Sequence, residues 1–182
     1  MTGTITTLVL GGARSGKSAF AERLVRAGGG DAAYIATATA GDEEMRARIA
    51  HHRDRRGDGW RTVEEPLALA EAVGREAAGG GAVLVDCLTL WLSNLMHAGR
   101  DVEAETARLV AALAGAGGPV VLVSNEVGMG LVPDTPLGRR FRDAQGRLNQ
   151  AIAAAVPRVV FVAAGLPLEL KAPAPPAPTE TA

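Results

Sequence analysis

A glycine-rich run that ends in lysine and serine is the part of this sequence whose chemistry is most narrowly defined. It consists of Gly11, Gly12, Ala13, Arg14, Ser15, Gly16, Lys17 and Ser18, and it follows the apolar segment Leu8–Leu10. Glycines let the backbone turn tightly and approach a ligand without an intervening Cβ. Successive N–H groups and the positive end of a following helix then favour an anion. The alternative is a plain glycine-rich turn with an exposed lysine.

The spacing within this run matches the pattern G-x-x-x-x-G-K-[ST], which requires a strand before it and a helix after it. In that pattern Lys17 supplies a charge to the β- and γ-phosphates of a nucleotide, and the hydroxyl of Ser18 is placed to ligate Mg²⁺. Both flanking elements are expected here. The run therefore predicts that the chain binds a nucleoside triphosphate together with Mg²⁺.

Short β-rich segments alternate with helical patterns along the chain, which is typical of a parallel sheet built from βαβ units. Strands are predicted at Ile5–Leu10, Ala32–Thr37, Ala82–Asp86, Val120–Ser124 and Arg158–Val162, and Trp60–Val63 is either a further strand or a connector. Helices are predicted at Lys17–Ala27, Glu43–Arg55, Leu67–Ala77, Val102–Ala114 and Leu137–Val156, with Pro66 at a first helical position. The predicted fold is α/β, with a mostly parallel sheet and helices on both faces. Ligands of such sheets bind outside the carboxyl ends of the strands.

Two of these carboxyl ends carry polar residues. Asp86 ends an apolar strand, as does the acid that lies near Mg²⁺ in phosphate-loop enzymes. It could instead cap a helical segment over Leu88–Leu95. Thr37, Ala38 and Thr39 follow another strand, and their hydroxyls could contact phosphate or ribose. An ordinary strand-to-helix loop is the alternative for these three residues.

The segment after the second strand contains two adjacent histidines among arginines. On a helix His51 lies on a polar stripe with Arg48 one turn before it and Arg55 one turn after it, whereas His52 leans toward an apolar stripe. A neutral imidazole could attack an α-phosphate and form a phosphoramidate while pyrophosphate leaves. A solvated basic face is the alternative. Adjacent helical positions diverge by about 100°, so the pair is not expected to hold one metal ion.

Several motifs together show that the sequence resembles one family, from Leu8 to about Gly165. They are the phosphate loop, the paired histidines with Arg53 and Asp54, the run Asn125–Pro133, which begins Asn-Glu-Val-Gly-Met-Gly, and the run Phe141–Gln150. The chain is similar to the bifunctional adenosylcobinamide kinase / adenosylcobinamide-phosphate guanylyltransferase family of cobalamin biosynthesis. The phosphate loop alone would indicate only a superfamily.

The resemblance implies two reactions and a set of site residues. Adenosylcobinamide would be phosphorylated by ATP or GTP, and GMP from GTP would then pass through a guanylyl-histidine to the new phosphate, releasing pyrophosphate. The histidine corresponds to His51, with His52 as the second candidate. Nucleotide contacts are implied for the phosphate loop and for Thr37, Ala38, Thr39, His52, Arg53, Asp54, Arg55, Glu64 and Asp86. A RecA-like fold and a homotrimer are also implied.

Composition and charge limit the remaining function classes. The 182 residues fit one domain, predicted over residues 1–171, followed by a disordered Pro/Ala-rich tail over 172–182. The net charge of −1 gives no electrostatic basis for nucleic-acid binding. The lone Cys87 favours a buried structural thiol in a reducing cytoplasm, and no apolar run is long enough to span a membrane. A small-molecule phosphate-loop kinase and a RecA-like ATPase are the rival interpretations.

Overall fold

A computed structural model describes residues 5–38 and 59–173 of the chain. The strands in these residues are β1 Thr7–Gly11, β2 Ala32–Ala36, β3 Trp60–Glu64, β4 Ala82–Asp86, β5 Val120–Asn125, β6 Arg158–Ala163 and β7 Leu166–Lys171. The helices are α1 Lys17–Ala27, α2 Leu69–Ala77, α3 Leu88–His97, α4 Val102–Ala114 and α5 Pro136–Ala155. No helix in these two ranges is both long and apolar enough to cross a bilayer.

All seven strands form one sheet in the order β3-β2-β4-β5-β1-β6-β7. The first six are parallel, and β7 returns antiparallel to β6 at one edge. Strand β5 lies between β1 and β4, so the segments that follow these three strands meet at one edge of the sheet. The chain connections thus bring residues 11–18, 86 and 125–130 to the same side of the molecule.

The core lies on both faces of the sheet, because alternate residues of each parallel strand point to opposite sides. On one face Val9, Val121 and Val123 pack with Ala21 and Val25 of α1. On the other face the alternate strand residues, such as Leu8 and Leu122, pack against α2, α3, α4 and α5. Strands covered on both faces must be apolar throughout, which explains their continuous apolar sequences.

The predicted parallel sheet is confirmed, including the weaker segment at Trp60, which forms edge strand β3. Strand β7 was not predicted. The helix expected from Leu67 begins at Leu69, so Pro66 is not its first residue. A turn precedes the helix instead, because the Glu65 carboxylate accepts hydrogen bonds from the N–H groups of Leu67 and Ala68. The predicted helix Glu43–Arg55 lies outside the described residues, as do residues 174–182 of the predicted tail.

Candidate active site

The phosphate loop joins the end of β1 to the start of α1, as its sequence predicts. Gly16 precedes the helix with φ +93°, a left-handed conformation that glycine adopts without strain. Arg14 also has a positive φ, 56°. Lys17 folds back over the loop, and its Nζ donates a hydrogen bond of 3.0 Å to the carbonyl of Gly12. The loop therefore has the compact turn that exposes successive backbone N–H groups to an anion.

Neighbouring strands hold this loop from two sides. The N–H of Glu126 donates to the carbonyl of Gly11 (3.1 Å), and the N–H of Gly165, in the turn between β6 and β7, donates to the carbonyl of Ser15 (2.8 Å). A Cβ on Gly11 would lie 2.5 Å from the carbonyl oxygen of Val162. The loop conformation is thus fixed by contacts to β5 and to the β6–β7 turn.

The hydroxyl of Ser15 is buried and has no hydrogen-bond partner among residues 5–38 and 59–173. Leaving a buried hydroxyl without a partner is unfavourable by about 1–3 kcal/mol. Such a group inside a phosphate loop can be satisfied by a bound phosphate oxygen. The loop is therefore arranged for a ligand that supplies acceptors.

Asp86 ends β4, two strands from β1, at the same sheet edge. Its Oδ2 accepts a hydrogen bond of 3.0 Å from the hydroxyl of Tyr34. The N-cap position of α3 is occupied by Cys87, and no side chain makes a capping hydrogen bond there. Asp86 is therefore not the helix cap that its position in the sequence allowed. Asp86 is half-buried. It therefore stays the candidate for a metal ligand.

Thr37 connects the ends of β2 and β4 rather than offering a free hydroxyl. Its Oγ1 donates to the carbonyl of Cys87 (2.7 Å) and accepts the N–H of Cys87 (2.9 Å). Its own N–H donates to the carbonyl of Asp86, and its carbonyl accepts Nδ2 of Asn94. Thr37 is fully buried, so its structural role is to hold Asp86 and the segment after β2 in place.

Cys87 is a structural thiol, as its sequence position indicates. Burial, with a smaller contribution from the neighbouring Asp86 carboxylate, raises the pKa of its thiol to about 11. The thiolate is the reactive form of cysteine, so a thiol with this pKa is a poor nucleophile at neutral pH.

Glu64 lies far from the phosphate loop along the sheet. It ends the edge strand β3 and is exposed. Strand β3 is four strand spacings from β1, or roughly 19 Å at about 4.8 Å each. Ala38 follows β2, three spacings from β1, and is half-buried. Both residues lie at the same edge of the sheet as the phosphate loop. Thr39, His51, His52, Arg53, Asp54 and Arg55 lie outside the described residues.

A buried polar cluster beneath the loop was not recognised from the sequence. Ser124 Oγ donates to Asn149 Oδ1 (2.7 Å), and Gln145 Nε2 donates to both Ser124 Oγ and Asn149 Oδ1 (3.0 and 2.9 Å). Asn149 Nδ2 donates to the carbonyl of Asn125. Two amides one helical turn apart on α5 were the available signal. The cluster fixes the end of β5, and with it the segment that contacts Gly11.

Proteins of known structure share the fold. The chain aligns with the RadB recombinase at a TM-score of 0.52 and 16% identity, covering 87% of this chain and 74% of that one. It aligns with the flagellar accessory protein FlaH from Methanocaldococcus jannaschii at a TM-score of 0.53 and 11% identity, covering 94% of this chain and 80% of that one. What these proteins share with the chain is the fold, a mostly parallel sheet with helices on its faces.

Sequence comparison gives a closer relation. The chain is 53% identical over 166 residues to the bifunctional adenosylcobalamin biosynthesis protein CobP of Pseudomonas aeruginosa, covering 90% of this chain and 96% of that protein. It is 42% identical to the bifunctional adenosylcobalamin biosynthesis protein CobU of Escherichia coli, covering 90% of this chain and 98% of that protein. The sequence model described as cobinamide kinase / cobinamide phosphate guanyltransferase matches residues 7–170. The chain, with its phosphate loop between β1 and α1, therefore belongs to the cobinamide kinase / cobinamide phosphate guanyltransferase family.

Proposed function

We propose that the chain carries out two successive reactions on a corrinoid substrate. In the first, ATP or GTP phosphorylates the hydroxyl of adenosylcobinamide. In the second, GMP from GTP is transferred to that phosphate, giving adenosylcobinamide-GDP and pyrophosphate. The observation that carries this proposal is the phosphate loop held between β5 and the β6–β7 turn, with Asp86 at the same sheet edge, in a member of this family.

The first reaction rests on the loop and on a metal ion. The donor set offered by Asp86 and Ser18 is one carboxylate and one hydroxyl, both hard oxygens of the kind Mg²⁺ prefers. Within the described residues no group of three His, Cys, Asp or Glu side chains could hold a metal alone. We infer that Mg²⁺ binds together with the nucleotide phosphates. When bound, it would neutralise charge on the transferred group, as Lys17 would from the loop.

The second reaction requires a nucleophile for the α-phosphorus, and we propose His51. The imidazole would attack the α-phosphorus, the bond to the bridging oxygen of pyrophosphate would break, and a guanylyl-histidine would form. Thr39, His52, Arg53, Asp54, Arg55 and Glu64 are proposed to contact the nucleotide. The exposed position of Glu64 at the β3 edge supports a contact at the nucleoside end.

The test is covalent labelling with GTP that is radiolabelled at the α- or the γ-phosphate. The α-label is expected to remain on the protein through an acid-labile, alkali-stable bond, and the γ-label is not. His51→Ala should abolish the label, whereas His52→Ala, which removes the second candidate nucleophile and a proposed nucleotide contact, should still form it. Absence of α-label from the wild-type protein with Mg²⁺ present would refute the covalent intermediate and favour a simple kinase.

We further propose a cytoplasmic homotrimer. The leucines of β7 support an assembly, because Leu166, Leu168 and Leu170 alternate along this edge strand and are more than half exposed. The single buried cysteine fits a reducing compartment. Light scattering that gives the mass of one chain instead of three would refute the trimer.

A further inference from the structure

The segment after β5 contacts the phosphate loop and carries an acidic residue, Glu126, that has no part in the two reactions as proposed. Glu126 directly follows β5, and its backbone N–H is bonded to Gly11, the first residue of the loop. Its side chain is half-buried. One carboxylate oxygen, Oε1, accepts the N–H of Gly128, and no donor among the described residues bonds Oε2. A carboxylate is thus anchored beside the loop with one oxygen open.

Strand order makes Glu126 the laterally nearest carboxylate to the loop among those that end or directly follow a described parallel strand. Strand β5 adjoins β1, about 4.8 Å away, whereas β4, which carries Asp86, is two spacings away. Strand β3, which carries Glu64 and precedes Glu65, is four spacings away. Glu65 is also occupied by the turn before α2.

Strand register also places Glu126 and Asp86 at different levels along the strand direction. Asp86 pairs with Val123, whereas Gly11 pairs with Asn125, the residue before Glu126. Glu126 is therefore three residues beyond the level of Asp86, roughly 10 Å further along the strand direction. Asp86 lies deeper in the sheet edge and is bonded to Tyr34, which suits a metal ligand. Glu126 lies further out, one residue beyond the level of Gly11, the first residue of the loop.

Phosphorylation of a hydroxyl can use a proton acceptor beside the transferred phosphate. As the acceptor oxygen bonds to the γ-phosphorus, the bond from that phosphorus to the β,γ-bridging oxygen breaks and the nucleoside diphosphate leaves. The acceptor hydroxyl loses its proton in this step, and a positioned carboxylate can accept it.

We propose that Glu126 is the general base that takes the proton from the acceptor hydroxyl during phosphorylation, and later releases it to water. This role rests on the proposed kinase activity. It assigns no part to Glu126 in guanylyl transfer, where the attacking group is an imidazole.

The test compares Glu126→Gln with the wild-type protein in the two half-reactions. The amide oxygen of glutamine can still accept the N–H of Gly128, so the loop contact is kept while the base is lost. The rate constant kcat for adenosylcobinamide phosphorylation should fall about 10²- to 10⁴-fold. The Kd for nucleotide and the extent of α-phosphate labelling from GTP should remain within about twofold.

Two further variants keep this test decisive. Asp134→Asn removes an exposed acid from the same segment and should leave the kinase rate unchanged. Glu126→Asp should recover part of the rate lost in Glu126→Gln. The proposal is overturned if Glu126→Gln phosphorylates at the wild-type rate, or if nucleotide binding and α-labelling fall as far as kcat. A wild-type protein that does not phosphorylate adenosylcobinamide would instead refute the proposed function itself.

Discussion

Replacing Gly11 by alanine should destabilise the folded protein through one identifiable contact. The added Cβ would lie 2.5 Å from the carbonyl oxygen of Val162 and 2.5 Å from Oγ of Ser15. The serine side chain can rotate away. The carbonyl cannot, because Gly11 and Val162 are register partners in the parallel ladder between β1 and β6. Relief of the clash therefore requires a shift of strand backbone.

The magnitude follows from the cost of overpacking a close-packed site, which is about 1–3 kcal/mol. For a domain of this length, 1 kcal/mol changes Tm by about 2–4 °C, so Gly11→Ala should lower Tm by roughly 2–12 °C. Gly12→Ala is the matched control. No atom lies within 4 Å of a Cβ built on Gly12, and its φ is outside the left-handed region, so its effect should stay within about 0.5 kcal/mol.

The assays are thermal and urea unfolding of the nucleotide-free proteins, since bound nucleotide would stabilise the folded state of each variant by an amount that depends on its own affinity. If the dependence of the unfolding free energy on urea concentration is the same in both variants, the difference between their urea midpoints is a difference in stability. Equal midpoints for Gly11→Ala and Gly12→Ala would refute the view that Val162 limits the space at the end of β1.

Two other substitutions test the structure around the site. Asn149→Ala should lower the free energy of unfolding by about 1–3 kcal/mol for each buried group left without a partner, whereas the exposed Gln150→Ala should change it by less than about 0.5 kcal/mol; equal urea midpoints would contradict a stabilising role for the cluster. Because burial raises the pKa of Cys87 to about 11 from an ordinary 9.0, ionisation favours the unfolded chain, so stability present below about pH 9 should be lost by up to about 3 kcal/mol as the pH rises to 11. Cys87→Ala should lack this part of the pH dependence, and an identical dependence in both proteins would show that the thiol does not contribute.

The elements around the phosphate loop could be predicted because local sequence determines them. The apolar run before Gly11 can only be a strand covered on both faces, and the loop pattern requires a helix from Lys17. Strand β7 gave no comparable signal. Its residues are all exposed, it contains Pro167, and its turn uses Ala164 at φ 51°, which is not a usual turn residue.

Site residues that act through tertiary contacts were also beyond local prediction. Gln145 and Asn149 meet Ser124 only because α5 packs under the end of β5, about twenty residues earlier in the chain. The hydroxyl of Thr37 could be recognised as polar and close to a strand end. Its partner, the backbone of Cys87, is fifty residues away in sequence, so its structural role emerges only from the pairing of β2 with β4.

The hydrogen bond from Gly165 to Ser15 has a consequence for how the enzyme matures on the ribosome. Its two ends are separated by roughly 150 residues, which take about 8–30 s to translate at typical rates. Until β6 and its following turn are made, β1 can pair with β5 alone, and the loop lacks one of its two supports. A nascent chain whose β6 has not yet left the ribosome should therefore gain little stability from bound nucleotide. Chaperones would have to shield its early apolar segments in the meantime.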